Sequence, residues 1–381
     1  MTVLVNFILL SFYMLEITRL PNKGRAYVAT TDIPQDTLLC VSEPLATTVS
    51  QEWTPETCMW CFHFSYPKKQ KVKAVTEDQC KQWNISMKYF KDFLFCSDRC
   101  KQLCINSFDH HWNTLLGIYY RIELEFLHEN NSLTVKKDFV PSIDESIDIK
   151  DDHALSTWLN HAWDCITKDI DLYKELDEVD KPMLRLIATC LVKQLQDSAQ
   201  FESLFDIQDN ELTYFRQLYQ NHQLPIVQDN KEAYLSILPQ PLIDVMALYC
   251  TFIRACRYKN NHIPTLPHVH HTIFRSIYFR ERANSFGLWE NGEQEEITDD
   301  LELLGYGIYP SAVYFNHSCD PNVLKKRDGR TFKFISKRYI RKGEEACISY
   351  GQVDDTVENR RSRLWEHYHF ICQCSRCLKE Q

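Results

Sequence analysis

Apolar and polar positions alternate at the two ends of the chain and recur every three to four residues in its middle. From Tyr13 to Val49, "YMLEITRL" alternates, "PNKG" turns, and "RAYVAT" and "TLLCVSE" follow as β-rich runs. From about Asn106 to Lys259 the period becomes helical. "TLLGIYYRIELEFLHE", "ALSTWLNHAWDCITKDIDLYKEL", "KPMLRLIATCLVKQLQ" and "LIDVMALYCTFIRACRYK" each place apolar residues on one face of a helix. Asp180 ahead of Pro182 is a helix opening. "IPTLPHVHH" closes the block, and its His268, His270 and His271 read as an exposed helix start rather than a metal set. After "RERANSFGLW" the strand pattern returns, with Asp328-Gly329 predicting a hairpin inside "NVLKKRDGRTFKFIS".

"KRYIRKGEEACISYG" then echoes the early "TTDIPQDTLLCVSE": a strand, a short loop with Ile, a tight turn, a strand. Two similar β units bracketing other material describe a split β domain, so the predicted fold class is α+β. Two acidic stretches, "SIDESIDIKDD" and "EQEEITDDLE", read as exposed linkers. The lysine-rich "PKKQKVK" reads as a solvated loop.

Composition narrows the classes. The chain has 381 residues, enough for two or three modules, and 44% of them are hydrophobic, which excludes wholesale disorder. The net charge of −9 argues against a nucleic-acid-binding surface and suits a basic partner. None of the 9 glycines falls in a dinucleotide or P-loop frame. "MTVLVNFILLSFYML" lacks a basic leader and a small-residue cleavage site, and is too short to span a bilayer. It reads as a buried strand, with no membrane partner and a reducing, cytoplasmic or nuclear compartment expected.

The 16 cysteines matter for where they fall. Cys40, Cys165, Cys190, Cys250, Cys256 and Cys347 stand singly in apolar surroundings and read as small core residues. Cys372, Cys374 and Cys377 crowd into "CQCSRC", a density that points to zinc. A closed structural site wants four ligands, and Cys319 in "NHSC" is the natural fourth. Cys58-x-x-Cys61 and Cys96-x-x-x-Cys100 form a second candidate set of four thiolates. Cys80, Cys104, His110 and His111 are too irregularly spaced for a third.

"NHSCDPN", "GEEACISYG" and "FICQCSRC", in that order, resemble the signature of SET-domain protein lysine methyltransferases. The interrupting cysteine module resembles the split SET–MYND (SMYD-like) class and its fungal relatives. The match is less complete in the finger, where the second zinc's regular Cys/His spacing is missing, and at Ala26, where the family usually has a second glycine. The resemblance implies a β-rich SET core of knot-like small sheets, split by a zinc finger and a helical insertion, with a zinc-binding post-SET tail. The expected boundaries are 1–57 for the first part of the core, 58–104 for the MYND-like finger, 105–265 for the helical insertion, 266–351 for the second part of the core and 352–381 for the tail.

The resemblance also implies S-adenosylmethionine as cofactor, held by Lys23, Gly24, Arg25, Asn284, Asn316, His317, Tyr350 and Phe370. Tyr350 would be the catalytic residue, and both zincs would be structural. Asn316 offers a donor and an acceptor to a zwitterion, and Phe370 an aromatic face to a purine. A free lysine of pKa ~10.4 must be desolvated to become nucleophilic, so the reaction rests on burial and alignment. A tyrosine of ordinary pKa ~10 orients the reactants and is not their base. The expected partner is a protein with a flexible lysine-containing segment, a histone or another, met by a monomer. The rival reading is a SET–MYND adaptor, inactive as an enzyme, that uses zinc only to hold its fold.

Overall fold

The structure, a computed structural model, describes residues 14–21, 23–127, 145–227, 230–258, 260, 262–290 and 301–381. The segment 1–13, expected to be a buried strand, lies outside them, as do Asn22, the first three residues of the first acidic stretch (142–144) and most of the second (293–300). The chain divides into two units. One comprises 1–49, 56–68 and 283–381, and the other 50–55 and 69–282.

The first unit is built of small sheets. Its strands are β1 Leu15–Leu20, β2 Gly24–Ala29, β3 Leu38–Ser42, β4 Ala46–Val49, β5 Ser285–Trp289, β6 Leu303–Ile308, β7 Asn316–His317, β8 Val323–Asp328, β9 Thr331–Ser336 and β10 Cys347–Ile348. β1 and β2 form an antiparallel hairpin, Leu15 opposite Ala29 and Leu20 opposite Gly24. β4, β6 and β5 make one three-stranded sheet, and β8, β9 and β3 another. β7 lies parallel to β10. Each three-stranded sheet therefore joins an early strand to late ones, so the split β domain closes on itself.

Local chemistry explains several joints. The predicted hairpin turns at Gly329, whose φ of +61° favours a residue without Cβ, and Asp328 faces Thr331. In β6, a Cβ at Gly305 would sit 2.2 Å from the Thr48 carbonyl oxygen, so only glycine lets β4 pair there. The aromatic core stacks Phe315 on Phe334 with centroids 4.3 Å apart, and Tyr309 meets Phe332 edge-on at 4.9 Å. Burying each such ring contributes about 1.5–3 kcal/mol.

The two echoing segments pair with each other as near mirror roles. Ile33 and Ile340 exchange backbone hydrogen bonds of 2.8 and 2.9 Å. Asp36 N–H donates to the Ser336 carbonyl at 2.9 Å, and Gly343 N–H to the Ala29 carbonyl at 2.8 Å. Asp36 and Gly343 both take positive φ, +61° and +82°. The repeat read from the sequence is therefore a local pseudo-twofold.

The second unit is chiefly helical, with long helices at Trp112–Glu125, Asp152–Thr167, Asp180–Gln196 and Gln240–Arg257. Asp151 caps the second of these, accepting from the amides of His153 and Ala154 at 2.9 and 3.1 Å. Arg275 pairs with buried Glu211, its Nη2 2.6 Å from Oε2, and Trp163 donates to the same carboxylate at 3.2 Å. The expected helix start at His271 is real, but that histidine is buried, not exposed. Its Nδ1 faces the Arg275 guanidinium at 3.5 Å and its Nε2 faces Asp164 at 2.8 Å. A donor at Nδ1 keeps the proton on Nε2, and ligand atoms of Asp164, His270 and His271 lie within 4.8 Å of one another. Among the described residues, no helix is long and apolar enough to cross a membrane.

Candidate active site

A cleft of about 860 Å³ opens in the first unit, where β7, the residues around β10 and the C-terminal tail converge. Lys23, Asn316, His317, Tyr350 and Phe370 all line it. Gly24, Arg25 and Asn284 do not. Gly24 sits in the β1–β2 hairpin with φ +75°, Arg25 lies over the Tyr314 ring at 5.2 Å, and Asn284 ends the helix that leads into β5. Within "NHSCDPN", two polar side chains hold the backbone. Ser318 Oγ donates to the Asp320 carbonyl at 3.0 Å and accepts from its amide at 3.1 Å, which makes the turn. Asn322 donates to the Glu345 carbonyl at 2.8 Å and accepts from Cys347 N–H at 2.8 Å, which fastens the turn to β10.

His317 is a hinge between two neighbours. Its Nδ1 accepts from Tyr350 N–H at 3.1 Å, so the ring proton belongs on Nε2, 3.2 Å from Cys319 Sγ. Tyr350 donates its hydroxyl to the Phe315 carbonyl at 3.1 Å. Burial, with the nearby Tyr368 next, pushes its phenol well above the ordinary range. It therefore stays protonated at any working pH. Rings gather around it: Tyr368 at 4.9 Å, His317 at 5.4 Å and Phe370 edge-on at 6.4 Å. Burial pushes the cleft-lining Cys347 thiol up to about 12, so it is no nucleophile.

At the end of the cleft the sulfurs of Cys319, Cys372, Cys374 and Cys377 lie within 4.8 Å of one another. Cys319 stands 3.9 Å from Cys372 and 3.4 Å from Cys377. A tetrahedral site with Zn–S of 2.3 Å separates its sulfurs by about 3.8 Å, so the set fits zinc. Four thiolates on one zinc carry net negative charge. Arg360, buried, places its Nη2 3.5 Å from Cys377 Sγ and supplies a cation there. The other four predicted ligands fall on two local pieces. Cys58 and Cys61 lie on a knuckle in the first unit, closed by Phe62 N–H to the Cys58 carbonyl at 3.0 Å. Cys96 and Cys100 belong to the second unit, their sulfurs 3.5 Å apart around the Ser97 cap of helix Asp98–Phe108.

A family model described as the SET domain matches residues 24–351. The chain belongs to the SET-domain family. It is 28% identical to a potential protein lysine methyltransferase, SET6, of Saccharomyces cerevisiae, over 94% of this chain and 93% of that protein. It is 25% identical to a SET and MYND domain-containing protein of Dictyostelium discoideum, over 96% of this chain and 82% of the relative. Over 25% of the chain and 20% of the relative, it is 39% identical to the mouse histone-lysine N-methyltransferase SMYD3.

Residues that the sequence reading passed over stand in the SET cleft or pack behind it. Glu345 accepts from Lys23 Nζ at 2.5 Å and from Asn316 Nδ2 at 2.9 Å. Its signal was a second acidic residue in "GEEACISYG", between a turn and a buried strand, where a solvated charge has no reason to be. Tyr368 packs on Tyr350 from the helix Val357–Tyr368, two positions before Phe370. Arg360, on the same helix, resembles an ordinary surface charge in sequence and is 2% exposed in the fold.

Proposed function

We propose that this chain transfers methyl groups from S-adenosylmethionine to lysine side chains of a protein. The observation that carries the reading is the cleft itself, in which Lys23, Asn316, His317, Tyr350 and Phe370, from distant parts of a SET domain, line one space. In this reading Asn316 and Lys23 receive the amino-acid end of the cofactor, and His317 and Phe370 flank its adenine. Gly24, Arg25 and Asn284 do not line the cleft. When bound, S-adenosylmethionine supplies an electrophilic methyl on a sulfonium.

The chain's own contribution is positional. Tyr350, with its proton held and its hydroxyl tied to the Phe315 carbonyl, cannot act as a base and serves as an oriented polar edge in an aromatic wall. Packing by Tyr368 and Phe370 excludes water, which lowers the pKa of an incoming lysine by desolvation. Alignment then does what remains, and proximity of this kind is worth up to about 7–11 kcal/mol.

The zinc held by Cys319, Cys372, Cys374 and Cys377 would fix the tail that brings Phe370 to the cleft. A second zinc on Cys58, Cys61, Cys96 and Cys100 follows from the sequence spacing, and the domain boundaries given above go with it. The partner is a protein with an accessible lysine in a flexible segment, with histone tails as the first candidates. The test is incubation of the zinc-loaded chain with labelled S-adenosylmethionine and a panel of basic peptides that includes histone tails. Label transferred to lysine is the expected result. A folded, zinc-loaded chain that binds no S-adenosylmethionine in calorimetry would overturn the reading in favour of the adaptor.

A further inference from the structure

Glu345 touches two of the residues assigned to the cofactor. Its side chain is 14% exposed, and Lys23 Nζ lies 2.5 Å from Oε2. Its other oxygen, Oε1, accepts from Asn316 Nδ2 at 2.9 Å. All three residues line the same cleft. An exposed ion pair alone would mean little. Here one carboxylate engages a cation and an amide together, and that has a directional consequence.

A carboxylate only accepts hydrogen bonds, so it dictates which end of the Asn316 amide it meets. Nδ2 is turned to Glu345, and Oδ1, which has no partner among the described residues, is kept as an acceptor. Burial alone would lower the Lys23 pKa, but the hydrogen bond and charge of Glu345 prevail and raise it. The side chain is thus held as a cation. An acceptor and a cation set in one wall are complementary to the ammonium and carboxylate of a free amino acid.

We propose that Glu345 is a positioning residue that fixes Asn316 and Lys23 as the two poles of a subsite for the zwitterionic end of the cofactor. It touches neither methyl nor lysine. The proposal rests on the cofactor reading given above and adds to it the residue that orients the subsite. Glu345→Gln keeps the volume but can accept from only one of the two neighbours, and presents a donor to the other. Asn316 is then free to turn its amide over.

Two probes separate orientation from general damage. S-adenosylhomocysteine carries the amino-acid end, whereas 5′-methylthioadenosine has the adenosine and thioether without it. In calorimetry on the full zinc-loaded chain, Glu345→Gln is expected to weaken S-adenosylhomocysteine ten-fold or more and to leave 5′-methylthioadenosine unchanged. Glu345→Asp, with the charge kept and the reach shortened, should fall between. Equal losses for both probes, or no loss for S-adenosylhomocysteine, would overturn the proposal while leaving the methyltransferase reading in place. Binding of neither probe by the wild-type chain would remove both. Should Glu345→Gln fail to fold, Glu345→Asp carries the test: the proposal requires a selective loss of S-adenosylhomocysteine, and an unselective loss or none refutes it.

Discussion

The segments from Thr30 to Glu43 and from Lys337 to Tyr350 follow the same backbone course and do different work. Ile33 matches Ile340, Asp36 matches Gly343, and buried Leu39 matches buried Ala346. The first copy goes on through Leu38 and Cys40 into β3 and pairs with β9. The second, at the positions matching Leu38 and Glu43, has Glu345 and Tyr350, and these line the cleft. A single scaffold thus occurs twice, once as plain sheet and once as site. What separates them is a handful of polar substitutions at positions the backbone holds still.

The comparison breaks most completely if the second copy loses its neighbour, the tail. Cys319→Ser should release the zinc between "NHSC" and the last cysteines, and with it Phe370. Metal analysis is expected to fall by one equivalent, and S-adenosylhomocysteine affinity by on the order of a hundred-fold, since each binding event must re-form the tail. A chain that keeps full affinity after losing that metal would show the tail to be dispensable. No change in the first copy would have a comparable effect on binding.

Asn316→Ala comes next. Removing a group that pairs with a buried zwitterion costs about 1–3 kcal/mol, roughly ten- to hundred-fold in Kd. The expected result is weaker cofactor binding with unchanged thermal stability of the free chain, read by calorimetry and by a melting curve. Tyr350→Phe should do the reverse of this in kinetics. It removes the hydroxyl bonded to the Phe315 carbonyl but little volume, so Kd for S-adenosylmethionine should stay within about two-fold. Turnover should drop by about ten-fold, or the distribution of methylated products should shift. Equal effects on Kd and kcat would place Tyr350 in cofactor binding alone.

How much of this was legible beforehand depends on the kind of signal. The hairpin at Gly329, the repeat and the thiolate set at Cys319 all rest on local chemistry, such as turn geometry, spacing or ligand count, and they are found where expected. The cleft-lining residues Asn316, His317, Tyr350 and Phe370 were legible only through family resemblance, because a polar turn and a strand-end tyrosine are individually ordinary. Arg360 was not legible at all, and Glu345 only as an acidic residue oddly placed between a turn and a buried strand. A charged residue in sequence reads as solvent-facing, and only the fold reveals that one is pinned between Lys23 and Asn316 and the other is buried beside thiolates. His271 failed in the same direction, since burial against Trp163 is a tertiary fact that helix-start rules do not contain.

The smallest expected effect tests the scaffold half of the comparison. Asp36 and Gly343 occupy the same left-handed turn position, at φ +61° and +82°. A Cβ at Gly343 would meet nothing within 4 Å, so Gly343→Ala is penalised by backbone conformation alone, about 1–2 kcal/mol. Asp36→Gly relieves that strain in the first copy but gives the unfolded chain more freedom, and these two terms oppose each other. Its net effect should therefore stay within about 0.5 kcal/mol. If the two turns are equivalent, denaturant melts will show a clear loss for Gly343→Ala and almost none for Asp36→Gly, with cofactor affinity untouched in both. A large loss for Asp36→Gly would mean that the aspartate side chain, and not the left-handed geometry it shares with Gly343, holds the first turn, and the equivalence would fail there.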